Sequence, residues 1–175
     1  MENKGTKRKI IGFAAVSITG TLCHFVYEWS GYNYAVGMFC PINESPWEHL
    51  KMLWFPFLLW SLAEYFILKR PQGFWMTKCI GNLTGLAVTT SFFYTYSGIM
   101  GNNTLFWDVC AFFLGVSAAF LTDDLLQKAK CATKPQAQII GIAFIIVLSV
   151  LFMIFSFLPP LIPWFRDPNL LTYGI

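Results

Sequence analysis

His24 and Glu28 stand four residues apart in "HFVYEW", which puts them about 40° from each other on one helical face. A second ionisable group follows in "NESPWEHLK": Glu44, Glu48, His49 and Lys51. Asp108 opens a later apolar run, "LFWDVCAFF". Imidazoles beside carboxylates are the parts of general acid–base chemistry, because burial and neighbouring charge push their pKa values apart. The pattern nominates His24, Glu28 and Glu48 as proton-handling groups, with Glu44, His49, Lys51 and Asp108 as the polar wall of a substrate pocket. Trp54, Trp60, Tyr94 and Trp107, joined by Trp47 and Tyr96, would supply aromatic surface for an isoprenoid or a cation.

Metal chemistry has a weaker claim at this stage. His24, Glu28, Glu48 and His49 are acceptable ligand types for zinc or a harder transition metal. However, Glu48 and His49 are consecutive, so a helix points them about 100° apart. Neither H-E-x-x-H nor H-x-x-x-H occurs, and the cysteines include no C-x-x-C. No metal and no cofactor are therefore assigned.

Ordinary structural roles compete for each residue. Ser45, Pro46 and Glu48 read as N-cap, N1 and N3 of a helix, a capping box in which Glu48 bonds back to the Ser45 amide. His24 and Glu28 could simply pair with each other. His49 and Lys51, in the first helical turn, could snorkel into headgroups, and Asp108 could cap its own helix. Asp123 and Asp124 beside Lys128 and Lys130 read as solvated, and Glu64 as a partner for Lys69 or Lys78.

The elements that must position these groups are apolar. Of 175 residues, 56% are hydrophobic and 12% charged, and mean hydropathy is +0.56. A soluble domain carries about 25% charged residues. Five runs are long enough to cross a bilayer: residues 10–29, 47–68, 79–99, 105–122 and 139–158. Without period-two alternation they exclude a barrel and predict an all-α, polytopic transmembrane bundle forming one domain over 1–175. Pro56 predicts a kink and a freed carbonyl in the second span.

Orientation follows from Lys and Arg. Lys4, Lys7, Arg8, Lys9, Lys69, Arg70, Lys78, Lys128, Lys130 and Lys134 gather on one side, which leaves only Lys51 and Arg166 opposite. That asymmetry predicts a cytoplasmic N-terminus and an external C-terminus in a multi-pass cell-membrane protein. The net charge of +3 then reports topology, and no basic face interleaved with aromatics points to nucleic acid. The first run has a basic start, but "HFVYEW" is too polar and bulky for a signal-peptide end, so it reads as a retained helix. Cys23, Cys40 and Cys110 fall towards the outside, where a disulfide would involve Cys40 in the loop. Buried free thiols are the ordinary alternative.

The words "HFVYEWSG" and "PINESPWEHLK", followed by an apolar helix, resemble a family of small uncharacterised bacterial integral membrane proteins with an N-E-S-x-W-E-H-x-K signature. That resemblance covers most of the chain and implies no established activity. "HFVYEW" and "LWFPFLLW" are also similar to segments of the emopamil-binding protein family, which includes sterol isomerases and sigma-2 receptor relatives. That second resemblance implies five membrane helices and proton-handling roles for His24, Glu28 and Glu48. This chain is shorter, and its loop between those segments is shorter too.

The expected function is a pocket for an apolar lipid or small amphiphile, at the level of the outer leaflet, with acid–base groups able to modify it. Membrane lipids and an apolar small molecule are the expected partners. Whether the protein is an enzyme or a binder stays open. The alternatives are an ion- or proton-coupled transporter, working as a homo-oligomer along Asn82, Thr84, Thr89, Thr90 and Ser91, and a structural subunit using the polar groups as interhelical contacts.

Overall fold

The computed structural model describes residues 2–69, 71–130 and 132–174. Arg70 and Cys131 lie outside these, as does the side chain of Lys4. Among the described residues there are six α-helices and no strand: α1 (Glu2–Trp29), α2 (Tyr34–Gly37), α3 (Pro46–Ile67), α4 (Phe74–Met100), α5 (Leu105–Lys128) and α6 (Pro135–Phe157). A single 3-10 turn, Pro163–Phe165, precedes the C-terminal segment. Four helices, α1, α3, α5 and α6, are long and apolar enough to cross a membrane. α4 matches them in length but carries Lys78, Asn82, Thr84, Thr89, Thr90 and Ser91, which lower its hydropathy.

α3 is the centre of the bundle and packs against α1, α4, α5 and α6. Its Leu53, Trp54, Phe55 and Phe57 form a core with Val16, Leu86, Phe112, Val116 and Phe152. The outward surfaces of the helices are also apolar, with Ile18, Leu59, Leu62, Leu121, Phe144 and Val147 all exposed. Helices hydrophobic all round belong in a large core or in lipid.

Small residues set the close approaches. α4 meets α5 through Gly81 and Gly85 against Gly115 and Ala119, a pair of small-x-x-x-small faces. A Cβ on Gly85 would stand 2.8 Å from the Gly115 carbonyl oxygen. Pro56 leaves α3 continuous, yet its missing N–H frees the Met52 carbonyl. That carbonyl is pressed against α1 at Gly20, where a Cβ would fall 2.3 Å from its oxygen.

At the end bearing the basic residues, ionisable groups are paired. Lys78 is fully buried between Glu64 and Asp123, 2.6 Å from Asp123 Oδ2, and Arg8 Nε donates to Glu64 Oε1 at 2.6 Å. Asp124 takes Lys9 and Lys128. This corrects the expectation that Asp123 is solvated: it is buried, because α4 brings Lys78 inward to it. For Glu64 the partner is Lys78 rather than Lys69.

Candidate functional site

The opposite end of the bundle is organised by the chain between α1 and α3. A disulfide joins Cys23, near the end of α1, to Cys40 in the connecting loop, with Cα atoms 5.2 Å apart. The loop then turns through Asn43 and Glu44 into the N-cap of α3. Ser45 Oγ accepts from the Glu48 amide at 3.3 Å, half of the expected capping box. The reciprocal bond is not made: the Ser45 amide donates to Asn43 Oδ1, and the Glu48 carboxylate accepts from the Ile42 amide. The C-terminal segment closes over this turn. Asp167 Oδ2 accepts from the Glu44 amide, Asn43 Nδ2 donates to the Gly174 carbonyl, and Phe165 stacks near Trp47. Burial pushes the Asp167 carboxyl up, but amide donors from Leu170, Glu44 and Asn169 outweigh this and hold it below the ordinary value.

These contacts fix Glu44 between two imidazoles. His49 Nε2 lies 3.4 Å from Glu44 Oε2, and His24 Nε2 lies 3.8 Å from Glu44 Oε1. The hydrogen bond from His49 is the main reason the Glu44 carboxyl sits below its usual range. His49 Nδ1 is 3.0 Å from the Ser45 carbonyl. A carbonyl cannot donate, so this nitrogen carries the proton. His24 is held by ring contacts instead, with Phe25 at 5.0 Å and His49 at 5.3 Å between centroids.

The three residues form part of the wall of a cavity of about 340 Å³ between α1, α3, α4 and α5. Leu50, Met52, Leu53, Phe93, Phe112 and Phe113 make it apolar, and Asp108, Thr89, Thr90 and Asn103 add polar points. Asp108 is itself oriented by the Tyr96 hydroxyl and by Asn103 Nδ2 at 3.3 Å. A second cavity of about 160 Å³ shares His24 and Glu44 with the first and adds Glu28, Tyr27 and Tyr32.

The residues nominated from sequence therefore separate. His24, Glu44, His49 and Asp108 line the larger cavity, whereas Glu28 is exposed and faces only the smaller one. Glu48 and Lys51 line neither. They are buried together, with Lys51 Nζ 2.7 Å from Glu48 Oε2 and 2.7 Å from the Gly37 carbonyl, and Ser156 Oγ donating to Glu48 Oε1 at 2.9 Å. Lys51 thus points into the protein rather than snorkelling. Trp54 is a core residue donating to Ser149 Oγ at 2.9 Å, and Trp60 packs beside Gly12 of α1. Tyr94 is exposed, and Trp107 lies tilted against Phe92 and Tyr96 outside the cavity wall. Sequence reading missed Asp167 and Ser156. Both act across more than 100 residues of chain, and no local pattern signals that.

A family model described as a family of unknown function (DUF6512) matches residues 1–175. The chain belongs to that family. No curated protein and no solved structure matches it.

Proposed function

We propose that this protein is a multi-pass cell-membrane protein that binds an apolar or amphiphilic small molecule in the outer half of its bundle. The observation carrying this reading is the α1/α3/α4/α5 cavity, apolar along most of its wall and polar at His24, Glu44, His49 and Asp108. Its volume of about 340 Å³ falls in the range of small-molecule sites, which combine an apolar wall with a few polar groups that fix orientation. The head of the ligand would meet the imidazole–carboxylate cluster, and its body would lie against Leu53, Phe93, Phe112 and Phe113. Glu44 between two imidazoles also supplies a proton donor and acceptor at one point, the requirement for acid–base modification of that head.

The reading takes five spans. α4 packs antiparallel to α5 along its length, from Gly81 against Ala119 to Tyr96 against Asp108. If α5 crosses the bilayer, α4 crosses with it, its Lys78, Asn82 and Thr89 turned towards α3 and α5. Two features support the cavity end being external. The Cys23–Cys40 disulfide belongs in an oxidising compartment, and the basic residues collect at the other end.

The test is a cavity-filling variant. Val109 lines the cavity and is partly exposed, so Val109→Trp occupies the space while leaving the core intact. Organic extraction and mass spectrometry of wild-type protein purified from membranes should yield a retained small molecule, and Val109→Trp should lose it. Equal retention by a folded Val109→Trp would overturn the assignment.

A further inference from the structure

The His24–Glu44–His49 cluster gathers three metal-ligating side chains at one point. His49 donates from Nδ1 to the Ser45 carbonyl, so in the neutral ring Nε2 presents a lone pair, yet a carboxylate oxygen lies 3.4 Å in front of it. The second oxygen of the same carboxylate faces His24 Nε2 at 3.8 Å, beyond hydrogen-bond length. The His49–Glu44 contact is favourable only with a positive charge between the two, either the proton of their hydrogen bond or a metal ion. A proton on His49 closes the His49–Glu44 contact and leaves His24 at 3.8 Å, whereas a metal ion can be shared by all three residues.

We infer that His24, Glu44 and His49 bind a divalent transition-metal ion. One donor atom from each residue lies within 4.8 Å of the other two. Zinc with ligand bonds of about 2.0–2.1 Å separates tetrahedral donors by roughly 3.3 Å. His49 Nε2 and His24 Nε2 stand 3.4 Å and 3.8 Å from the two oxygens of the Glu44 carboxylate, so a small closure onto one ion, or sharing of both oxygens, completes the set. Two imidazoles and one carboxylate select a first-row transition metal over calcium or magnesium, which prefer all-oxygen shells. The Nδ1–H bond of His49 to a backbone carbonyl is the outer contact that orients a ligating imidazole and raises its basicity. The Cys23–Cys40 disulfide and the bond from the Glu44 amide to Asp167 hold the three ligand-bearing segments in register. Three protein ligands leave a fourth position, and the neighbouring cavity opens at it, so water or a polar ligand head can complete the shell. The site stands whether or not the cavity holds a lipid.

The experiment uses full-length protein in detergent, stripped with a chelator and titrated with zinc alone, then with cobalt(II) as a spectroscopic probe. Wild type is expected to bind one zinc per chain and to give the intense visible bands of four- or five-coordinate cobalt. Glu44→Gln retains the loop, because the Glu44 side chain is half-exposed and its amide still reaches Asp167. It should weaken zinc binding by more than the roughly 10–100-fold typical of losing an outer partner, with an unchanged melting temperature in the metal-free form. His24→Ala should do the same. Equal zinc affinity in wild type, Glu44→Gln and His24→Ala would overturn the assignment, as would wild type that takes up no zinc and leaves a protonated His49–Glu44 ion pair alone.

Discussion

Glu48 and Lys51 offer the sharpest test of what a buried charge does in this bundle. Lys51 is completely enclosed and Glu48 nearly so. Their bonds run to one another, to Ser156, and to backbone at Ile42 and Gly37. Removing one member of such a pair costs about 3–5 kcal/mol, because the surviving charge stays buried without compensation, whereas removing both is often nearly neutral. Glu48→Gln should fall near the lower end, about 3 kcal/mol, since the amide oxygen can still accept from the Ile42 N–H. Lys51→Met should fall near the upper end, because it strips the Gly37 carbonyl of its donor as well. The double variant Glu48→Gln/Lys51→Met should cost no more than Lys51→Met alone, giving a coupling of at least about 3 kcal/mol, where independent sites add to within about 0.3–0.5 kcal/mol. SDS-driven unfolding in mixed micelles, followed by tryptophan fluorescence, reads all three. Additive costs would refute the ion-pair argument. If Glu48→Gln kept full stability but lost the retained small molecule, Glu48 would be a proton-handling group and not the anchor of α3.

Two further outcomes follow from the cavity end and from the bundle's topology. Cys40→Ser opens a loop of 17 residues, and closure of a loop near that length contributes about 3 kcal/mol. The variant should unfold correspondingly earlier in the same SDS titration, and stability equal to wild type would mean that the disulfide does not hold α1 to the loop. For topology, Asn102→Cys in a Cys110→Ser background should react with an impermeant maleimide on intact cells, and Lys130→Cys only after permeabilisation; labelling of both from one side would refute five spans.

The helices were readable from the sequence because apolar runs of bilayer length have few alternatives, and α3 begins at Pro46 behind Ser45, where the cap residues put it. The ends were less legible: α4 runs from Phe74, ahead of the expected Cys79, because Thr77 and Lys78 are buried rather than lipid-facing. The candidate site was legible as a region but not as a set. His24, Glu44, His49 and Asp108 converge on one cavity, as their shared level at one end of the chain's apolar runs implied. Glu48 departs because helical rotation alone separates it from His49 by about 100°. It turns towards Lys51, on the side closed by Ser156 of α6. Which neighbour closes which side depends on helix packing that period and composition do not encode. The close approach at Gly20 is of the same kind, since a proline on one helix finds its answering glycine on another.

The two ends of the bundle use ionisable groups differently, and that difference argues for where function lies. Among the described residues at the basic end, the buried charges have matched partners: Lys78 with Glu64 and Asp123, Glu64 also with Arg8, and Asp123 also with Gln127. Lys51 and Glu48 are satisfied in the same way. Charges so enclosed fix one packing of the helices and have no capacity left for a ligand. His24, Glu44 and His49 differ in being partly exposed, in lining open space, and in facing one another at 3.4 Å and 3.8 Å, the second beyond hydrogen-bond length. Cost alone does not separate the groups, since ionisable residues in a membrane are expensive wherever they stand. Unused coordinating capacity does. On the proposed reading the chemistry lies at the junction of α1, the Glu44 turn and the first turn of α3, and the buried pairs hold that junction still.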